Sequence, residues 1–490
     1  MSVQIFLQGQ LHGIEEFLLA EAHRSEWESG GAAGETLFVG RSRWVGLLSE
    51  VLPRALLAEL GLSQVLLGSS GGGQFLVVLP GEVREAADEF LAAAAEEIRR
   101  LSSGFLSLAW GATENLGDWA VVRRRLAAEM LRLQQAPAVD APDDLFDPFD
   151  EPPPADTEGY FSQVMGVKLQ DAKVIGWSPD SPARLLPEPG KHTWPLVDSA
   201  EAIHLARHSA PGDDPEKLCP ATPAELAGRA QGHKVWGVLR GDVDNFGLRV
   251  RRLTTIEEHV QISMLYKQFF AGELEVLCSM ADFWQKVTIV YSGGNDFGVF
   301  GAWDALIPLA REIQRLFHRF NEENLKDIPG AEGKTISMAL AIAPEHDTPL
   351  AEVYEEAGRK LQIAKSTDKD CIHLFGHTVE WRHLAHAADL QETLGRLAKL
   401  LGGSSYLLSD MVRFYKSPEG VTGRPEAGRF HRPWRFHRHL SLLGGGVRER
   451  EFQKLRSRLV VELTGKSATQ ATLRPAGRVA LEWARLLAEA

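Results

Sequence analysis

Apolar and polar positions alternate along the first 135 residues with two different periods. The changes of period predict strand, helix, strand, turn, strand, helix and strand. Residues 234–375 follow the same order at greater length. Their predicted elements are a strand at 234–243, a helix at about 256–280, a hairpin at 287–300, a helix at 303–320, a strand at 334–343 and a helix at about 349–365. The repeated order predicts an internal duplication of a ferredoxin-like βαββαβ unit.

The two copies align at their glycine-rich hairpin turns. Residues 70–75 (SGGGQF) correspond to residues 292–297 (SGGNDF), and residues 6–13 correspond to residues 238–245. The equivalent positions are Gln10 and Asp242, His12 and Asp244, Gly73 and Asn295, and Gln74 and Asp296. Only the second copy has acidic residues at these positions, so chemistry that needs charged groups is predicted there.

In a βαββαβ unit the end of the first strand lies beside the central hairpin turn. We therefore expect Asp242 to converge with Asn295 and Asp296. Two carboxylates and nearby backbone oxygens suit Mg²⁺, which could hold nucleotide phosphates there. Glycines in the hairpin would let a triphosphate approach the backbone, and Lys365 could add positive charge. A glycine-rich hairpin and an aspartate that caps the next helix can also occur without any function.

These residues resemble a known family, the large palm-domain subunit of type III CRISPR-Cas effector complexes of the Csm and Cmr type. The second copy carries the resemblance in residues 241–247 (GDVDNFG), residues 291–296 (YSGGND) and Lys365. The first copy carries it in residues 11–17 (LHGIEEF) and 70–75 (SGGGQF), which look like the family's first, non-catalytic palm. Two palms in this order, followed by a helical region, cover nearly the whole chain.

The resemblance implies an RNA-guided assembly as well as a site. Its partners would be a guide CRISPR RNA, bound near its 5′ end, the target RNA, and the backbone and small subunits of the complex. Active relatives join ATP into cyclic oligoadenylates with Mg²⁺ or Mn²⁺, in a site shared by the palms. By resemblance Asp242 and Asp296 would hold metal, with Asn295 as the altered catalytic position. The nucleotide-binding positions would be Ser292, Gly293, Gly294, Lys365 and Asp244.

The predicted fold class is α+β, with two ferredoxin-like palm domains of the nucleotide cyclase or polymerase type and an all-α C-terminal domain. We call residues 1–136 the first palm and residues 234–378 the second palm. Residues 137–158 contain six prolines and eight acidic residues, which predicts an acidic linker. Residues 159–233 form an inter-palm region, and residues 379–490 the helical domain.

Composition and charge limit the class of protein, its mode of binding nucleic acid and its compartment. The chain has 490 residues, 44% of them hydrophobic, which is a globular balance. Its 66 acidic and 53 basic residues give a net charge of −13, so binding of nucleic acid would need a local basic patch. Three distant cysteines, no targeting segment and no run of 18 apolar residues predict a cytoplasmic protein without a membrane partner.

Three features depart from the family pattern. The hairpin has Asn295 where cyclases of the family have aspartate, and an amide brings no charge to a cation, so we expect reduced or absent cyclase activity. Met1 precedes the first predicted strand almost directly, so we expect no HD nuclease domain. A four-cysteine zinc motif is missing from the inter-palm region, and exposed histidines are a better interpretation than zinc binding. The residues considered for zinc are His204, His208, Cys219 and His233.

One stretch of the C-terminal region is basic in an otherwise acidic chain. Residues 413–458 contain twelve Lys or Arg and four Glu, and residues 429–439 alternate basic and aromatic side chains. Arginines hold phosphates while aromatic rings stack on unpaired bases. The predicted RNA-binding residues are Arg429, Arg432, Trp434, Arg435 and Arg438. A solvated face above buried aromatic side chains would give the same composition.

Three functional hypotheses follow. The first is a structural, RNA-associated subunit of a type III effector complex whose palm site is degenerate. The second is an active cyclic oligoadenylate synthetase in which Asp242 and Asp296 suffice for metal. The third, from another class, is a diguanylate-type cyclase, which would require a GG(D/E)EF hairpin and GTP and does not explain the duplicated palm.

Overall fold

The computed structural model describes most of the chain outside two long segments. The described residues are 3–20, 33–135, 159–197, 199, 201–214, 219–326, 328–367, 369–401, 408–409, 411–412, 438, 442, 449–464 and 475–489. The linker predicted at 137–158 lies outside them, as does most of the basic stretch.

The first palm is a four-stranded antiparallel sheet with helices on both faces. Its elements are β1 (Gln4–His12), α1 (Ile14–Leu19), α2 (Ala33–Glu59), β2 (Leu67–Gly71), β3 (Gln74–Pro80), α3 (Arg84–Leu101), β4 (Ser107–Glu114) and α4 (Trp119–Gln135). The strand order is β2-β3-β1-β4. Alternation along β1 sends Ile5 and Leu7 into the core beneath α2 and α3, while Phe6 packs on the other face beneath α4.

A small sheet that the sequence did not predict follows in the inter-palm region. Its strands are β5 (Val174–Ser178), β6 (Ser181–Leu186) and β7 (His192–Pro195), in the order β6-β5-β7. Helix α5 (Pro223–Arg229) precedes the second palm. The capping box of Thr222 and Glu225, with proline at the first helical turn, explains why this short helix begins there.

The second palm repeats the first and extends it. Its elements are β8 (Trp236–Val243), α6 (Phe246–Arg252), α7 (Ile256–Lys267), α8 (Leu274–Cys278), β9 (Val287–Ser292), β10 (Asp296–Ala302), α9 (Trp303–Asn324), β11 (Ile336–Ile342), α10 (Leu350–Thr367), β12 (Cys371–Leu374) and β13 (His377–Glu380). The single helix predicted at 256–280 is α7, a π-helical turn and α8. The strand order is β13-β12-β11-β8-β10-β9.

The registers of the two sheets confirm the predicted alignment of the copies. In the first palm Gln10 of β1 lies opposite Gln74 of β3. In the second palm Asp242 of β8 lies opposite Asp296 of β10. A pair of neutral amides in one copy therefore occupies the place of a pair of carboxylates in the other.

Helix α2 of the first palm covers part of the second sheet. Leu239 and Val243 of β8 face the core formed with α7, α8 and α9. Trp236 and Val238 point to the opposite face and belong to the core that contains α2 and α10. The two palms therefore share one apolar core, which fixes their relative position.

The C-terminal helices complete the other core. They are α11 (Trp381–Leu400), α12 (Arg450–Thr464) and α13 (Pro475–Ala488). Leu394, Leu459 and Val479 from these helices are buried in the core that includes β8 and α9, so the core is continuous across residue 379. Among the described helices, none is both long and apolar enough to cross a membrane.

Candidate functional site

The candidate site lies where β8 ends beside the turn between β9 and β10. Direct pairing across β8 and β10 places Asp242 and Asp296 side by side on one face of the sheet. Asn295 precedes Asp296, and its carbonyl oxygen accepts a hydrogen bond of 2.9 Å from the amide of Val243. The three side chains predicted to converge are therefore brought together by strand register.

Both carboxylate oxygens of Asp242 already have partners within the chain. Asn295 Nδ2 donates to Oδ1 over 3.2 Å, and Lys365 Nζ lies 2.7 Å from Oδ2. Lys365 reaches the site from the last turn of α10, as the sequence predicted. In this structure its ammonium group contacts the Asp242 carboxylate, whereas the sequence suggested a contact with triphosphate. The side chains of Asp242 and Lys365 are about a quarter exposed, so the pair lies at the rim of the site.

Asp296 lies deeper in the sheet than Asp242. Tyr291 donates its hydroxyl to Oδ1 of Asp296 over 3.1 Å. Burial, together with the neighbouring charge of Asp242, raises the pKa of Asp296 to about 6. A Cβ on Gly293 would lie 1.9 Å from the Tyr291 hydroxyl oxygen, so the absence of a side chain there lets Tyr291 reach Asp296.

Asp244 occupies a different environment from the other two acids. It is 1% exposed, and its oxygens accept hydrogen bonds from the Ser337 hydroxyl, the Thr335 hydroxyl and the Asp370 amide at 2.8 to 2.9 Å. A carboxylate with these partners stabilises the loop after β8. Asp244 therefore has a structural role here, and its role in nucleotide binding stays a prediction.

The hairpin turns of the two palms meet at the site. Gly72 has φ of 62°, and a Cβ there would lie 3.3 Å from the backbone nitrogen of Gly294. Gly294 itself is open, because a Cβ there would meet nothing within 4 Å. The Ser292 hydroxyl donates to the Phe270 carbonyl over 2.6 Å, so this residue anchors the turn to the helical layer.

A cavity of about 660 Å³ opens between the palms at this point, and we call it the inter-palm cavity. Its walls include Gln10 and Gln74 from the first palm and Asn295, Asp296 and Lys267 from the second. Apolar side chains of β3, α4, α6 and α7 line much of the remainder. Apolar walls with a few convergent polar groups are typical of small-molecule sites.

A smaller cavity of about 370 Å³ lies on the other side of Asn295, which lines both cavities. Three cationic side chains line it: Lys365, Lys369 and Arg251. Together they could hold phosphate groups beside Asp242. Lys369 was missed from the sequence, because Asp368 and Asp370 flank it and hide its charge in the local composition.

The described residues do not form a ready site for the divalent metal that the family resemblance implies. Asp242 is neutralised by Lys365, and Asn295 presents its amide hydrogens to Asp242. Within the described part of the chain, no three His, Cys, Asp or Glu side chains are arranged to hold a metal ion. The inter-palm candidates also lie apart, because His208 contacts the Trp284 carbonyl at 3.1 Å and His233 contacts Glu489 at 3.4 Å. Cys219 is exposed.

Most of the predicted RNA-binding residues belong to the part of the chain that is not described. Arg429, Arg432, Trp434 and Arg435 lie outside the described residues. Arg438 is described and is exposed.

Two joined palms with paired carboxylates at one hairpin define a class, the palm-domain proteins. Within that class, residues 235–373 match the family model described as Cas10/Cmr2, second palm domain. The match covers both predicted motifs and Lys365. This part of the chain is therefore similar to the second palm of Cas10/Cmr2 proteins.

Curated relatives are similar over limited stretches. The Cas10/Csm1 single-strand-specific deoxyribonuclease (subtype III-A) of Thermococcus onnurineus is 25% identical over 187 residues, which cover 33% of this chain and 23% of the relative. The protein of the same description from Methanocaldococcus jannaschii is 33% identical over 110 residues, covering 20% of this chain and 14% of the relative. The aligned stretches thus span about a quarter or less of these relatives.

Solved structures are similar over nearly the whole chain. The apo Csm1-Csm4 cassette aligns with a TM-score of 0.71 at 18% identity, covering 99% of this chain and 70% of that one. Csm1 of T. onnurineus aligns with a TM-score of 0.68 at 18% identity and the same coverage. The chain therefore has the Csm1 fold, with mixed α+β palms and a helical C-terminal region as predicted.

Proposed function

We propose that this chain serves as the large subunit of a type III CRISPR-Cas effector complex, where it binds the 5′ region of the guide RNA and the backbone and small subunits. The proposal is supported by the Cas10/Cmr2-type second palm and by the Csm1 fold along the chain. One similar structure is a Csm1-Csm4 subcomplex of a type III-A interference complex. A partner of the Csm4 kind is accordingly the first to test by co-purification with guide RNA.

We further propose that the palm site of this chain is degenerate as a cyclase. The main support is that both carboxylate oxygens of Asp242 already have partners, one in Asn295 and the other in Lys365. An aspartate at position 295 would repel Asp242 and offer a further anionic ligand, whereas the asparagine amide donates to it. The geometry favours a neutralised Asp242 without metal over a cluster of carboxylates that requires one.

The test uses the purified effector complex with ATP, target RNA and Mg²⁺ or Mn²⁺. The unmodified chain is compared with Asn295→Asp, and Asn295→Ala serves as a control that removes the amide without adding charge. We expect little oligoadenylate from the unmodified chain and from Asn295→Ala, and more from Asn295→Asp. Abundant oligoadenylate from the unmodified complex would overturn the degenerate assignment.

A second candidate function is an active cyclic oligoadenylate synthetase that uses ATP with Mg²⁺ or Mn²⁺. The inter-palm cavity favours it, because about 660 Å³ is enough for a nucleotide and the hairpins of both palms border it. In that case nucleotide and metal would have to displace Lys365 from Asp242 together. Synthesis by the unmodified complex that is lost in Asp242→Asn and Asp296→Asn would establish this function.

A further inference from the structure

Helix α4 of the first palm presents one face to the second palm. Trp119, Arg123, Leu126 and Met130 all line the inter-palm cavity, and their spacing of three or four residues places them on one side of the helix. Val122 and Leu126 anchor α4 to its own sheet, where they pack against Phe6. This face is therefore held rigidly by the first palm and directed at the second.

Arg123 is the polar residue of this face, and it reaches the C-terminal end of α6. Its guanidinium donates to the carbonyl oxygens of Val250, Arg251 and Leu253. These carbonyls lie at the helix end, where Val250 also accepts from the amide of Leu253. A side chain of the first palm thus caps a helix of the second.

Helix α6 needs such support because it has only seven residues. Isolated helices shorter than ~12 residues are marginal in water. From within the second palm, Arg249 is 2% exposed and donates to the carbonyls of Pro329, Gly330 and Glu332 at 2.6 to 3.0 Å. Arg249 and Arg123 therefore hold α6 from opposite palms.

The other end of α6 leads directly into the candidate site. Asn245, in the left-handed conformation with φ of 56°, immediately precedes the helix. Asp244 is fixed by its three hydrogen bonds, and Asp242 lies two residues earlier. Only Val243, Asp244 and Asn245 separate Asp242 from α6, so the position of the helix constrains the position of this loop.

We propose that Arg123 is a positioning residue, a latch through which the first palm sets the place of α6 and of the acidic loop at residues 242–245. The latch gives the first palm, which has Gln10 and Gln74 in place of the two carboxylates, control over the site of the second. It goes beyond the proposed function, because it applies whether or not the site turns over ATP.

Hydrogen–deuterium exchange on the full chain tests the latch directly. The variants are Arg123→Ala and Arg123→Lys, and the matched controls are Arg124→Ala and Arg125→Ala. Both control arginines are exposed on the same helix and bond only within the first palm, to the carbonyls of Ala120 and Leu116. They remove the same charge without touching α6.

We expect Arg123→Ala to speed exchange in peptides covering 244–253 by at least about tenfold, since hydrogen bonds from a charged donor to three carbonyls are lost. Arg123→Lys should restore part of the protection, because an ammonium can still reach at least one carbonyl. The controls should exchange like the unmodified chain, and the melting temperature should stay within a few degrees in all four. Equal exchange in Arg123→Ala and Arg124→Ala would overturn the latch.

Calorimetric titration with ATP distinguishes a failure of the Arg123 proposal from a failure of the proposed nucleotide site. If the unmodified chain binds ATP, Arg123→Ala should bind at least several-fold more weakly while Arg124→Ala binds equally well. Equal ATP affinity in Arg123→Ala, in a chain that does bind ATP, would contradict the coupling to Asp242. A chain that does not bind ATP would count against the nucleotide site, and the exchange result would still decide the latch.

Discussion

At the scale of single residues, Asp296 makes the stability of the fold depend on pH. Burial raises the pKa of this carboxyl to about 6, above its ordinary value of about 4 in an unfolded chain. Its stabilising contribution is therefore full below pH 4 and is lost as the pH rises through 6. We expect Asp296→Asn to raise the free energy of unfolding at pH 8, by up to about 3 kcal/mol, and to leave it unchanged at pH 4.

Thermal melts of both proteins between pH 4 and pH 8 measure this difference. Asp242→Asn is the control, because it removes an acid from the same site but also breaks the ion pair with Lys365. A gain for Asp296→Asn of the same size at pH 4 and pH 8 would show that the carboxyl is not perturbed as described.

Removal of the Asp244 carboxylate should lower the stability of the fold, whereas removal of the Asp296 carboxylate should raise it at pH 8. Alanine there would leave the Ser337 and Thr335 hydroxyls and the Asp370 amide without their buried acceptor. Each such loss costs about 1 to 3 kcal/mol, so Asp244→Ala should lower the melting temperature by several degrees. Asp242→Ala, at the exposed rim, should change it little. Similar melting temperatures for the two variants would contradict the structural place of Asp244.

The sequence predicted which side chains of the site are neighbours, but it did not predict which of their atoms form hydrogen bonds or ion pairs. Strand alternation and the hairpin turn predicted that Asp242 and Asp296 would be neighbours, because register follows from the pattern. The same pattern could not predict that Lys365 would contact Asp242, or that Asn295 would donate its amide nitrogen to Asp242. Those outcomes depend on side-chain rotamers and on the local electrostatic balance, which no residue spacing encodes.

At the scale of elements, a buried ion pair ties α2 of the first palm to α7 of the second. Lys267 Nζ lies 2.5 Å from the Glu50 carboxylate, which also accepts from Arg54 and from Ser70 in the first hairpin turn. The Glu50 side chain is only 5% exposed. The tie therefore fixes the first hairpin turn against the second palm beside the cavity.

Removing one partner of this pair should be costly. Lys267→Met leaves Glu50 buried with one cation fewer, and breaking a buried pair on one side typically costs about 3 to 5 kcal/mol. The double variant Glu50→Met/Lys267→Met should recover much of that loss, because neither charge then remains without its partner. Melting temperatures of the two single variants and the double variant give the coupling. A double variant as unstable as the sum of the singles would exclude a direct tie.

Elements with a strong period were predicted well, and short ones were missed. Strands β8 to β11 and helices α9 and α10 match their predicted positions because each has a long apolar face. Helix α4 was not predicted, since the predicted order of the first palm ended in a strand. Helix α6 was missed because seven residues give less than two turns of pattern. Strands β12 and β13 have four residues each; β12 extends the sheet by pairing with β11, and β13 by pairing with β12. Such elements are stabilised by tertiary contacts that local propensity does not contain.

At the scale of the whole molecule, the duplication has an asymmetric result. Both palms keep the same strand order, yet the first contributes Gln10 and Gln74 where the second has two carboxylates. The first palm instead contributes α2 to the core of the second and α4 to its site. The internal repeat could be read from the sequence, whereas the interlocking of the copies could not, because it depends on contacts between distant segments.

The net charge of −13 sets the last prediction, which concerns RNA. An acidic chain repels RNA overall, so we expect the proposed binding at the basic stretch at 413–458, where basic residues exceed acidic ones by eight. Changing Arg432, Arg435 and Arg438 together to alanine should weaken assembly with guide RNA, and the loss should be greater when salt is raised from about 50 to about 200 mM. The matched control changes Arg311, Arg315 and Arg319 to alanine. These residues lie along one face of α9, and the control removes the same number of positive charges. If assembly of the first triple variant at the higher salt equals that of the control, the basic stretch is a solvated face and RNA must be held by other residues.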